Sequence, residues 1–171
     1  MSSFDRRQTF SINSNIASPP RTNNKWLKDW TLNWVLTAQT GTPLTARVLG
    51  NASDSTGSGV VGAGRADATG ASIGGGQFFN LAAFTIPSSG RYGDAGRNTI
   101  PGPGSIVVNG SFSRSISITE RRRLEFRFEA NNVLNHVNYA NLGTVINAAN
   151  YGLVTSAGGM RTMQAICRFR F

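Results

Sequence analysis

Leu124-Glu125-Phe126-Arg127-Phe128-Glu129-Ala130-Asn131 decides the fold. Leu124, Phe126, Phe128 and Ala130 stand at every second position, and Glu125, Arg127, Glu129 and Asn131 stand between them. A helix repeats its apolar positions every three or four residues. A strand repeats them every two, because successive side chains point to opposite faces. This stretch is therefore a strand with one greasy face and one ionised face.

The same period recurs on both sides of it. Met163, Ala165, Cys167, Phe169 and Phe171 alternate with Gln164, Ile166, Arg168 and Arg170. Upstream, Trp30, Leu32, Trp34, Leu36 and Ala38 alternate with Thr31, Asn33, Val35, Thr37 and Gln39. A weaker case puts Val108, Gly110, Phe112, Arg114, Ile116 and Ile118 on one face. Near the N-terminus, Phe10, Ile12 and Ile16 oppose Ser11, Asn13 and Asn15. The expected strands cover about 4–16, 26–39, 105–118, 122–134 and 160–171. Each is near 10 residues, whereas a strand of a soluble sheet averages about 5–6 and a bilayer-crossing strand needs roughly 9–11. The expectation is an all-β fold: an antiparallel amphipathic meander of about five strands of transmembrane length, part of an outer-membrane β-barrel with long loops, occupying 1–171 as one region.

The connections sort by length. Residues 17–25 and 119–121 form short turns, while 40–104 and 136–159 form long Gly/Ser/Asn-rich loops. Outer-membrane barrels have short turns on the periplasmic side and long loops outside. With a periplasmic C-terminus both short turns fall on that side and both long loops fall outside.

On this reading Trp30, Leu32, Trp34, Leu36, Phe112, Ile116, Leu124, Phe126, Phe128, Met163, Ala165, Cys167 and Phe169 face lipid. Asn33, Glu125, Arg127, Glu129, Arg168 and Arg170 face the lumen. Arg114 falls on the lipid face near the periplasmic end, where a long side chain snorkels to the headgroups. Trp26 and Trp30, with Phe169 and Phe171, lie at the same membrane edge as an aromatic girdle.

Composition sets further limits. Only 15% of residues are charged, against about 25% in an average protein. There is no run of 18 apolar residues and hence no expected transmembrane helix. The net charge is +9, which admits nucleic acid or an anionic surface as partner. The basic residues are scattered, however, with Arg121-Arg122-Arg123 as the only run of three. Cys167 is the single cysteine, which excludes an internal disulfide and a cysteine-based metal cluster. Met1-Ser2-Ser3-Phe4-Asp5-Arg6-Arg7 has no apolar signal-peptide core. Taken alone that points to the cytoplasm, and it fits a barrel only if this chain is a piece whose signal lies upstream.

No motif carries catalytic chemistry. The glycines at 74–76 and between 57 and 64 lack the Gly-Lys-Ser/Thr of a phosphate loop. His136 is the only histidine, so a metal-ligand role has no second ligand. Glu125 and Glu129 could pair as acid and base, but alternation with arginine makes them a charge ladder. The expectation is no enzyme, with no catalytic, cofactor or metal site and no cofactor.

Several segments resemble the C-terminal region of TonB-dependent receptors, in particular the Oar-like group with a carboxypeptidase-regulatory-like domain. They are Gly90 to Gly104 (GRYGDAGRNTIPGPG), Ile118-Thr119-Glu120-Arg121 followed by Leu124 to His136, Ile146-Asn147 through Tyr151-Gly152, and Thr155-Ser156-Ala157-Gly158. Phe4-Asp5-Arg6-Arg7 and Gln39 to Thr45 fit the same family. The resemblance implies a 22-stranded barrel with a plug, importing an unidentified ligand in the cell outer membrane. It also implies that Phe169 and Phe171 form the signal read by the barrel-assembly machinery. The implied partners are the outer-membrane bilayer, that machinery, the rest of the receptor barrel and plug, and the ligand, with no nucleic acid. Five strands are too few to close a barrel, for which about eight is the minimum, so the chain alone is not expected to transport. Two other readings stay open. One is a soluble β-sheet protein associating through its strand edges. The other is a basic nucleic-acid-binding module, whose binding would fall steeply with salt.

Overall fold

A computed structural model describes residues 2–19, 27–49, 64–88 and 91–171. The expected turn at 17–25 therefore lies mostly outside the described residues, as do Trp26, Gly57 and Gly90.

The strands in chain order are β1 (Thr9–Ala17), β2 (Trp30–Gln39), β3 (Pro43–Leu44), β4 (Arg47–Val48), β5 (Gly64–Arg65), β6 (Asp67–Ala68), β7 (Phe84–Thr85), β8 (Ile100–Pro101), β9 (Ser105–Ser117), β10 (Arg123–Asn131), β11 (Tyr139–Leu142), β12 (Val154–Ala157) and β13 (Thr162–Arg170). One short 3-10 turn, Leu81–Ala83, is capped by the Asn80 side chain accepting from Ala82 N. No described helix is long and apolar enough to cross a membrane.

The chain divides into two compact units. The second comprises Thr9–Ala38, Ile106–Val137 and Gly159–Phe171. It is built on a five-stranded antiparallel sheet in the order β1-β2-β9-β10-β13. These are the five strands expected from the alternation, with shifted ends: β1 starts at Thr9 rather than 4 and runs to Ala17 rather than 16, and the other four are shorter than expected. β10 stops at Asn131 because Asn132 turns to a left-handed φ of 50°. β2 starts at Trp30 because Asp29 has φ 64°. Between β9 and β10, Ile118 N and Thr119 N donate to Arg122 O at 2.9 and 3.2 Å and close a tight turn. No residue of these five strands is buried.

The first unit comprises Met1–Gln8, Gln39–Ser105 and Asn138–Gly158. It gathers the two segments expected as long loops, and they are not structureless where described. Short antiparallel ladders join β3 to β8, β4 to β5, β6 to β7 and β11 to β12. Its core holds Ala46, Val48, Ala66, Phe79, Ala83, Phe84, Ala95, Ile100 and Leu142. Phe79 meets Phe84 and Tyr151 edge-on at 6.2 and 5.6 Å. Asp67 is buried, pairs with Arg91 and accepts Asp94 N at 3.0 Å, while Asp94 Oδ1 accepts Ala68 N at 2.8 Å. Glycines of the GRYGDAGRNTIPGPG segment allow close backbone approach: a Cβ at Gly93 would collide with Arg65 O, and one at Gly102 with Thr42 O.

Candidate functional site

The candidate site is the five-stranded sheet itself, whose two faces differ in chemistry. Its register follows from the ladders. β10 pairs with β13 as Leu124↔Phe169, Phe126↔Cys167, Phe128↔Ala165 and Ala130↔Met163. It pairs with β9 as Leu124↔Ile116, Phe126↔Arg114, Phe128↔Phe112 and Ala130↔Gly110. Directly paired residues project to the same side of a sheet. Trp30 stacks on Phe112 with ring centroids 4.5 Å apart, which puts Trp30, Leu32, Trp34 and Leu36 on that side too. All thirteen residues of the expected apolar face thus share one face, although they come from four separate strands.

That face is open. Met163 is 73% exposed, Phe128 58% and Phe169 51%. Cys167 is a free, exposed thiol. Single exposed apolar residues are ordinary, whereas a contiguous apolar face of this extent marks a surface that meets something other than water.

The opposite face carries Asn33, Glu125, Arg127, Glu129, Arg168 and Arg170, the six residues expected together. Glu125 pairs across the ladder with Arg168 and lies 4.0 Å from Arg168 NH1 and 3.7 Å from Arg170 NH2. Arg127 Nε reaches Glu129 at 2.7 Å. Asn33 Nδ2 donates to Ser111 Oγ at 3.4 Å. The structure adds a serine column that the alternation of β9 contains but the sequence reading did not single out. Ser111, Ser113, Ser115 and Ser117 stand opposite Glu129, Arg127, Glu125 and Arg123. Small hydroxyls there leave room for the long charged chains of β10. These ion pairs are largely exposed, so each contributes little to stability.

At one end of the apolar face sits Arg114, whose guanidinium lies 4.9 Å from the Trp30 ring centroid. Phe169 and Phe171 lie 6.2 Å apart at the end of β13, with Phe171 92% exposed. At the other end of β10, Asn132 ties the sheet edge together. Its backbone N donates to Asn109 Oδ1 at 3.0 Å, its Nδ2 donates to His136 O at 2.9 Å and Gly159 O at 3.2 Å, and its Oδ1 accepts His136 N at 3.0 Å. His136 thus takes part in this knot through its backbone. Among the described residues, no cluster of three His, Cys, Asp or Glu could hold a metal ion.

Neither the curated proteins nor the solved structures yield a match to this chain. A family model does: the outer membrane beta barrel domain aligns with residues 1–164. That range takes in β1, β2, β9, β10 and the start of β13. Strands of bilayer-crossing length, segregated faces and this alignment converge on one assignment: the chain belongs to the outer membrane beta barrel domain family and resides in the cell outer membrane.

Proposed function

We propose that the chain forms part of the wall of a TonB-dependent receptor barrel that takes up a still unidentified ligand. In this role the face from Trp30 to Phe169 meets the acyl chains of the outer membrane. The face of Asn33, Glu125, Arg127, Glu129, Arg168 and Arg170 lines the water-filled lumen against a plug. The observation that carries the reading is the sheet's register: it gathers the apolar side chains on one face, with Arg114 at its end, and the charged ladder on the other, while leaving no residue of the five strands buried. A sheet in water would cover its apolar side with a second layer. A sheet in a bilayer leaves it open and keeps its polar side hydrated.

β1 and β13 each have a single neighbour in the sheet. Their free edges would pair with the remaining receptor strands, because an open edge has no hydrogen-bonding partner within the bilayer core. The first unit would be the receptor's outer, ligand-sampling part. Phe169 and Phe171 would supply the aromatic pair that the assembly machinery reads. No residue is given a catalytic role.

The receptor reading is tested with a photocrosslinking amino acid at Arg127 in intact cells. Capture of a plug domain, in the same polypeptide or another, supports a receptor. A photocrosslinker at 127 that captures nothing, together with an Arg127→Cys variant in a Cys167→Ser background that reacts with a water-soluble maleimide, indicates an open pore and overturns it.

A further inference from the structure

The apolar face is not smooth. Across it, one residue in from the end of β10 and the start of β13, run Trp34, Gly110, Ala130 and Met163, one from each of β2, β9, β10 and β13. The two central members have little or no side chain, so the face dips there. The next row towards the short turns is bulky, with Phe112 and Phe128 side by side. The result is a groove of about 680 Å³ floored by Gly110 and Ala130 and rimmed by Trp34, Phe112, Phe128 and Met163. That size lies within the roughly 300–1,000 Å³ range of small-molecule sites. By register, Ser111, Glu129 and Gln164, which also border it, direct their side chains to the other face. Apart from the indole N–H of Trp34, the groove therefore offers an occupant only apolar side chains.

The one charged side chain of the apolar face along β9 stands in line with this groove. Arg114 is four residues from Gly110 on the same strand and the same face, about 14 Å away at the usual strand rise. Its guanidinium lies against the Trp30 ring, which in turn stacks on Phe112. An aromatic platform of this kind holds a cation in place, and the guanidinium is the side-chain cation whose geometry matches a phosphate. The spacing of about 14 Å fits within one leaflet of a bilayer whose hydrocarbon core is about 30 Å thick.

We propose that Arg114 and the Gly110–Ala130 groove form a single ordered phospholipid site, with the lipid phosphate on Arg114 and one acyl chain lying over Phe112 and Phe128 into the groove. The site takes an anionic phospholipid in preference to a zwitterionic one, because the cation faces the headgroup and nothing apolar distinguishes the chains. This rests on the apolar face meeting lipid, and the test separates the two claims.

The complete barrel that contains this chain is reconstituted in phosphatidylcholine bilayers, with and without Trp30→Phe and Trp34→Phe, so that the difference reports the emission of these two tryptophans. A minor fraction of phosphatidylglycerol brominated at mid-chain is added, or the same fraction of brominated phosphatidylcholine. The anionic lipid is expected to quench the tryptophans more strongly. Arg114→Gln is expected to lower that preference roughly tenfold, the value of one charge-assisted hydrogen bond, with Arg114→Lys retaining part of it. Gly110→Leu, which fills the groove, is expected to remove the excess quenching while leaving the response to bulk brominated lipid. Equal quenching by both lipids, or a preference unchanged in Arg114→Gln, overturns the site. In either case, quenching in bilayers made wholly of brominated phosphatidylcholine keeps the lipid-facing assignment. Absence of quenching in those bilayers overturns both.

Discussion

Met163 and Gln164 are adjacent in β13 and belong to opposite faces, so arginine at each position separates a bilayer from water. Met163 pairs with Ala130 on the apolar face and is 73% exposed; Gln164 pairs with Glu129 on the polar face. Arginine on a lipid-facing strand costs about 2–4 kcal/mol at the bilayer midplane and about 0–1 near the interfaces, and Met163, one residue inside the start of β13, takes a value between them of about 2 kcal/mol. Loss of the methionine from lipid adds roughly 1–2 kcal/mol, because most of its surface has no protein neighbour. Met163→Arg is therefore expected to destabilise the membrane-folded state by about 3 kcal/mol, roughly a hundredfold in the folding equilibrium. Gln164→Arg gains a partner in Glu129 and is expected to stay within about 0.5 kcal/mol of the parent. The assay is urea-dependent folding of the complete barrel that contains this chain into phospholipid vesicles, followed by tryptophan emission and by mobility on unheated gels. If the apolar face were merely a water-exposed surface, replacing so exposed a methionine would also cost no more than about 0.5 kcal/mol. Equal, small effects at the two positions would refute the bilayer argument.

Three further outcomes follow from local geometry. Asn132→Ala should cost about 3 kcal/mol in the same folding assay, because it removes three hydrogen bonds made by a buried side chain, each contributing about 1 kcal/mol, at a left-handed position; Asn132→Gly should relieve the backbone but recover little, since the side-chain bonds are still missing. Gly93→Ala should loosen the first unit by about 2 kcal/mol or more, because its new methyl meets Arg65 O; hydrogen exchange should accelerate in 39–105 while β9, β10 and β13 keep their protection. Burial raises the Tyr151 hydroxyl above its ordinary pKa of 10.0. The folded unit therefore holds this proton longer than the unfolded chain, and its stability, full below pH 10, should fall as pH rises beyond it; Tyr151→Phe, which also gives up the 3.0 Å bond to Leu81 O, should flatten that alkaline decline.

Legibility differed between the two units for a physical reason. In the sheet each residue has only two directions, so alternation alone assigns a face. Leu124 to Asn131 announced β10, and the same arithmetic placed Met163 and Gln164 on opposite sides before any pairing was known. Segment ends were less legible, because they depend on single backbone conformations such as those of Asp29 and Asn132. The first unit was the least legible. Its ladders are two to four residues long, too short to show a period. Its core is assembled from positions as distant as Val48, Phe79 and Leu142. Glycines at 93 and 102 looked like loop punctuation, whereas they are sites where two backbones touch. The knot around Asn132 lies just past the last alternating residue of β10, where no period points to it. The groove at Gly110 and Ala130 needed the register between strands, which no single strand reveals.

The central claim is that one face of this sheet meets lipid and the other meets water. Single cysteines placed in turn at 163, 164, 165 and 166, in a Cys167→Ser background, test it most directly when the complete folded barrel that contains this chain is treated in vesicles with a membrane-impermeant maleimide. Alternation is the predicted result, with 163 and 165 protected and 164 and 166 modified. Uniform modification of all four positions would contradict it.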